Sequence, residues 1–298
     1  MTRAERAASP EERSAFLKRF ERFGSAPSVE TYLALFHPEG RLYDEGMERP
    51  IGVSEIPAHI AGVLALVRDF RMHIERWRAR DARVFVEAQN SGEVAGTRVA
   101  WRAVYRIELE GSLVRDGRRY FDRAPLLSRL DPTTPTLDAA HAPHERGGPV
   151  PPPRGAVAGR EVAPGEIVGE CTRAWREDRP EAIAELFRED GSLLAPGLPG
   201  PVGGGGIAAY YRRLAALLGG ARLAPRSWAG DGSLLFVEWQ ADVPTPNGVY
   251  ALGLVDRFDL VRGRVLAARS YFESVALARA LAAPDGFAAH VHEAGRVE

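Results

Sequence analysis

The sequence predicts an α+β fold made twice: two repeated cone-shaped domains, each with three helices wrapped by a bent antiparallel sheet. Three observations predict it. Sliding the 298-residue chain against itself by 151 positions aligns 36–122 with 187–273 without a gap, and roughly a quarter of the paired residues are identical. Phe36/Phe187, Gly40/Gly191, Pro50/Pro201, Trp77/Trp228 and Tyr120/Tyr271 are among the matches. In each copy a helical spacing of apolar residues gives way to strict alternation. Between the copies, 131–165 is dominated by Pro, Gly and small residues and has too few apolar groups to pack. The expected organisation is a domain at 1–130, a linker at 131–165, a second domain at 166–283 and a tail at 284–298.

The elements of the first copy follow in order. Ser9, Pro10 and Glu12 supply an N-cap, a first-turn proline and a capping-box acid, and Phe16, Leu17, Phe20 and Phe23 recur at helical spacing. This predicts a helix over 10–23. A short second helix is expected from Val29 to Phe36, and GRLYDEG (40–46) reads as a first strand. Ser54 is the expected cap of a third helix carrying Ile56, Ile60, Val63, Leu64 and Val67 on one face. Only strands are expected after it, at 69–78, 82–94, 97–110 and 112–122, giving the order ααβαββββ. Such a sheet wrapped on helices leaves an apolar pocket between the layers.

Bulk properties exclude several classes of function. The 39 basic and 40 acidic residues leave a net charge of -1 with no basic stripe, which argues against nucleic acid as a partner. No segment has the roughly 18 apolar residues of a membrane span, and the opening MTRAERAASPEERSAFL lacks a signal-peptide core, so a soluble cytoplasmic protein is expected. The single cysteine, Cys171, permits no intrachain disulfide and reads as a small buried hydrophobe. His290 and His292 have no third ligand nearby, so no metal site is expected. GPVGGGG (200–206) lacks the Lys-Ser/Thr of a phosphate loop.

Two segments of the first copy, LALFHPEGRLYDEGMERPIGVSEI and VRDGRRYFDRAPLLSRL, resemble the nuclear transport factor 2-like superfamily, the second in the form typical of its SnoaL-like polyketide cyclase branch. The second copy repeats both as IAELFREDGSLLAPGLPGPVGGGGI and VRGRVLAARSYFESVALARAL. The resemblance implies a pocket that hosts isomerases, cyclases, dehydratases, epoxide hydrolases and plain binding proteins. It also implies pairing of domains through their sheets, here as an intrachain pseudo-dimer.

The resemblance places Asp44 where ketosteroid isomerases hold their proton-shuttling carboxylate; a loop acid beside Glu45 is the alternative. The two oxyanion donors of those enzymes fall on Phe20 and Ala103, neither of which can donate, so that specific isomerase activity is not expected. If Ala103 faces the pocket, alternation brings Trp101 and Tyr105 to the same face, as a flat wall and a replacement donor or as core aromatics. Phe121 is a second wall. His73, between Met72 and Ile74, points away from both, toward pocket or solvent, and is a candidate second acid–base group. His37 and His59 sit near helix ends and rank lower. Asp256 stands at the position of Tyr105 in the second copy, while Asp44 is matched there by Ala195. The expected function is cofactor-independent acid–base chemistry, through an enol or carbanion, on a small apolar carbonyl compound of secondary metabolism. A noncatalytic small-molecule binding or scaffold protein is the alternative.

Overall fold

The computed structural model describes residues 6–44, 47, 49–131, 162–246 and 248–281. Most of the expected linker and all of the expected tail, with His141, His144, His290 and His292, lie outside the described residues, as do Glu45 and Gly46. The chain divides into two compact units: unit 1 is Met1–Phe121 with Pro125–Pro132, and unit 2 is Asp122–Ala124 with Thr133–Glu298.

Unit 1 begins with α1 (Pro10–Ser25), where Ser9 and Glu12 form the expected reciprocal capping box. Then come α2 (Val29–Leu33), β1 (Phe36–Asp44), β2 (Ile51–Gly52), α3 (Ile56–Leu66), β3 (Arg68–Arg80), β4 (Arg83–Val94), β5 (Thr97–Glu110) and β6 (Leu113–Tyr120); α4 (Ala124–Leu130) follows. Three details differ from the expectation. The second helix stops at Leu33, because Phe36 is already paired with Val114 in the sheet. Ser54 does not cap α3; the helix starts at Ile56 with Pro57 in its first turn, and the Glu55 carboxylate instead accepts the Gly52 N–H and pairs with Arg49. The short strand β2 and the helix α4 were not expected, being too brief for periodicity to register.

The sheet runs β2-β1-β6-β5-β4-β3. All its pairings are antiparallel except one, β1 with β6, which is parallel, so the sheet is mixed where a wholly antiparallel one was expected. The β4–β5 hairpin closes through Ala95 and Gly96 at φ of 48° and 79°, the successive left-handed residues of a turn that matches strand twist. Gly40 lies where β1 slips register against β6, and a Cβ there would come within 2.6 Å of the Val114 carbonyl. Its counterpart Gly191 is held the same way, 2.8 Å from the Arg188 carbonyl and 3.1 Å from that of Val265. The recurring glycine of the two GRLYDEG-like segments is thus a backbone requirement. Phe16, Phe20 and Phe23 of α1 pack with Val84, Val86 and Ala88 of β4 into one core, each buried phenyl contributing roughly 2–3 kcal/mol of transfer free energy.

Unit 2 repeats the plan. It contains α5 (Pro164–Arg176), a 3-10 helix at Pro180–Leu186 in place of α2, β7 (Phe187–Leu194), β8 (Val202–Gly203), α6 (Gly205–Leu217), β9 (Ala224–Gly230), β10 (Leu234–Thr245), β11 (Gly248–Val261), β12 (Arg264–Tyr271) and α7 (Ser274–Ala280). Its sheet, β8-β7-β12-β11-β10-β9, has the same order and the same single parallel pair. The α+β fold with two repeated domains is therefore present. Among the described residues, no helix is long and apolar enough to cross a membrane.

Candidate functional site

Strand register brings three polar side chains of unit 1 into one row. Asp44 at the end of β1 is the cross-strand partner of Arg119 on β6, which is in turn the partner of Tyr105 on β5. The Arg119 guanidinium grips Asp44 with two donors: Nε gives to Oδ1 at 3.1 Å, and Nη2 gives to Oδ2. From α3, His59 Nε2 meets the same Oδ2 at 3.2 Å. Tyr105 donates to Asn90 Oδ1 on β4 at 3.1 Å, and the phenol of Tyr32 lies close enough to feel the charges of both Asp44 and Arg119.

Burial separates the roles in this cluster. The Asp44 and Arg119 side chains are 10% and 13% exposed, whereas His59 keeps 27% and so forms the solvent-facing member. Burial by itself pushes the Asp44 carboxyl up, but the Arg119 charge and the His59 hydrogen bond outweigh it and hold the group below its ordinary value. Burial likewise opposes the Arg119 charge, and Asp44 reverses that, raising the guanidinium. Both tyrosine hydroxyls are pushed up by burial, so they stay protonated donors. A carboxylate accepting from Nε2–H leaves Nδ1 of His59 as the free acceptor.

The expected site residues divide. Asp44 and Tyr105 join the cluster. Phe20 packs edge-on against Tyr105, with centroids 5.0 Å apart, and lines a narrow apolar recess with Phe16, Tyr32, Leu42, Tyr105 and Ile107; Asp44, His59 and Arg119 are not among its walls. Trp101, Ala103 and Phe121 are buried but do not line that recess; Trp101 packs between Phe70 and Phe121 at 6.0 and 6.4 Å. His73 is exposed. Strand alternation puts the buried Met72 on the core face and turns His73 outward.

The histidine that reaches Asp44 is His59, and sequence reasoning ranked it too low. Its signal was present: His59 is three positions after Ile56 and one before Ile60, both fully buried, so it falls on the core-facing stripe of α3. Arg119 was also missed, although it is two residues from Phe121 and alternation gives both the same face; its guanidinium lies 5.0 Å from the Phe121 ring centroid.

Unit 2 keeps the backbone and changes every member of the cluster. At the positions of Asp44, His59, Asn90, Tyr105 and Arg119 stand Ala195, Tyr210, Ala241, Asp256 and Ser270. The carboxylate has moved from the first strand to β11 and has lost its guanidinium.

Fold and cluster define a class: small α+β pocket domains, here in tandem, with a buried carboxylate at the end of the first long strand. The chain belongs to the SnoaL-like domain family, whose model matches twice, over 15–116 and 168–268. Solved structures similar to one copy include an LEH-like epoxide hydrolase from M. tuberculosis (20% identity, TM-score 0.34, covering 40% of this chain and 89% of that one). Another is a protein of ketosteroid isomerase-like fold from Catenulispora acidiphila (17%, TM-score 0.36, 41% and 93%). A third is TsrD from Streptomyces laurentii (16%, TM-score 0.36, 41% and 97%). No curated protein gives a significant match.

Proposed function

We propose that unit 1 performs cofactor-independent acid–base chemistry on a small, largely apolar carbonyl compound, passing through an enolate, as a cyclase or isomerase would. The observation that carries this reading is the His59–Asp44–Arg119 constellation, which reaches the apolar recess only through Tyr105 and Tyr32, the two tyrosines that line it. Asp44 is too well paired with Arg119 to act as the base. It orients His59, whose imidazole can hold the carboxylate with Nε2–H and present Nδ1 as an acceptor. His59 Nδ1 takes a proton from the carbon next to the carbonyl, and the electron pair moves onto the carbonyl oxygen. The Arg119 charge stabilises the resulting oxyanion, and the Tyr105 hydroxyl donates to it by turning its one O–H away from Asn90 Oδ1. The proton returns from His59 to another carbon in an isomerisation, or to a product oxygen after the enolate carbon closes a ring.

The test is exchange of α-protons for deuterium in a panel of 1,3-dicarbonyl compounds, followed by NMR in D2O. The native chain exchanges them, and His59→Gln loses about 100-fold or more of the rate, while the exposed His73→Gln leaves it unchanged. Undiminished exchange in His59→Gln overturns the assignment.

A second reading, a noncatalytic binding protein, is favoured by two observations: Phe20 and Ala103 offer no donors, and the Asp44 charge is already neutralised by Arg119. Compounds that bind without exchanging decide for it.

A further inference from the structure

Unit 2 buries a carboxylate without a cation. Asp256 on β11 is 7% exposed, and its listless neighbourhood in charge terms contrasts with that of Asp44: the guanidinium position is taken by Ser270, its cross-strand partner, whose hydroxyl donates to Asp256 Oδ1. The Trp239 indole N–H on β10 favours the Asp256 charge from longer range, short of hydrogen-bond geometry. From α6, Tyr210 and Tyr211 complete the surroundings. Both are at most 3% exposed and their rings meet edge-to-face at 5.4 Å; among the described residues the Tyr211 hydroxyl has no hydrogen-bond partner, and that of Tyr210 has only the Ser270 hydroxyl nearby, short of hydrogen-bond geometry. Asp256 acts electrostatically on both of them and on the Cys171 thiol of α5.

Three aromatic rings, two unpartnered hydroxyls and an uncompensated carboxylate on one interior point of a domain form a poor core. Each buried polar group left unpaired costs about 1–3 kcal/mol, and native proteins leave few of them. Aromatic faces attract cations, a carboxylate requires one, and a tyrosine hydroxyl accepts from N–H as readily as it donates.

We infer that unit 2 contains its own ligand site, centred on Asp256, Tyr210, Tyr211 and Trp239, for a compact organic ammonium ion. The ligand's charge replaces what Arg119 supplies in unit 1. Its N–H groups donate to Asp256 and to the two hydroxyls, and its hydrocarbon part lies against the rings. No step of the chemistry proposed for unit 1 depends on this site.

The probe is benzylamine, with benzyl alcohol as its neutral match in shape, titrated calorimetrically into the full-length chain. Benzylamine binds at pH 8 and benzyl alcohol does so at least ten-fold more weakly. Asp256 is desolvated and pushed up to about 6, so amine affinity falls roughly ten-fold by pH 5 as the carboxyl protonates. Asp256→Asn, which keeps the shape and removes the charge, abolishes amine binding; its unit-2 thermal transition shows that it is folded. Tyr210→Phe and Tyr211→Phe each weaken binding several-fold. Equal affinity for the alcohol, amine binding retained in Asp256→Asn, or a high-resolution crystal structure with only water bridging the two hydroxyls in the presence of amine would each overturn the inference.

Discussion

Asp44 and Arg119 are worth more to each other than to the fold. Two charges taken out of water regain their hydration only through mutual attraction, so the pair adds little net stability, yet removing one partner strands the other. Asp44→Asn therefore costs unit 1 about 3 kcal/mol by leaving a buried guanidinium, and Arg119→Met costs a similar amount by leaving a buried carboxylate. The double variant recovers most of the loss, and denaturant titration of the four proteins measures the coupling. Because the Asp44 carboxyl is held below its ordinary value in the folded state, its contribution is present above the unfolded value and is lost as pH falls through the folded one. At this scale the sequence was half legible. Asp44 stands out as the acid that follows Leu42 and Tyr43 on the first strand, whereas its partners come from 15 and 75 positions away. Alternation can give Arg119 a face but not a partner, and only the register of two strands decides that it meets Asp44.

Helix α1 and strand β3 meet at backbone distance. A Cβ on Gly24 would lie 2.3 Å from the Met72 carbonyl oxygen, so the helix owes its seat on the sheet to a missing side chain. Gly24→Ala gains helix propensity and loses the seat. Overpacking of this kind costs about 1–3 kcal/mol, and the expected net result is a unit-1 unfolding midpoint shifted to lower denaturant with unchanged slope. Elements with long apolar patterns were readable in advance: α1 with its capping box, and the strands beginning near 69, 82 and 97. The failures have two causes. The start of α3 and the end of α2 are set by Pro57 and by the pairing of Phe36 with Val114, and the latter is a tertiary contact that no local pattern announces. The parallel pairing of β1 with β6 was equally invisible, since alternation is the same in either direction.

The two units respond to acid in opposite senses. In unit 2, Asp256 is raised from 3.8 to about 6 by burial. A raised carboxyl in the folded state contributes stability below the unfolded value and loses it as pH rises through the folded one. Asp122, grouped with unit 2, is pushed up to about 7 by burial and the Glu273 charge and acts in the same direction. Between pH 7 and 4 unit 2 is therefore stabilised, by an amount on the order of 3 kcal/mol from Asp256 alone, while the Asp44 contribution to unit 1 is unchanged until the pH falls lower. Scanning calorimetry of the whole chain should resolve two transitions whose separation changes over this range, and Asp256→Asn should flatten the unit-2 response. A separation independent of pH would contradict both assignments. The duplication itself was the most legible property of the molecule, because 151 is a fixed offset and glycines such as Gly40 and Gly191 mark the backbone twice.

The parallel contact between the first long strand and the last has a kinetic meaning. Asp44 and Arg119 are joined only when β6 lies beside β1, and the hairpins of β3, β4 and β5 intervene between them in the chain. Closing a loop of that length has an entropic cost before it gains any contact, and nonlocal pairings of this kind slow folding. A nascent or partly unfolded unit 1 can hold nearly all its hairpins and still have no ion pair. The chemistry proposed for the pocket is thus tied to the most nonlocal pairing of the sheet, and a chain that misfolds at this one seam loses the ion pair before it loses its hairpins.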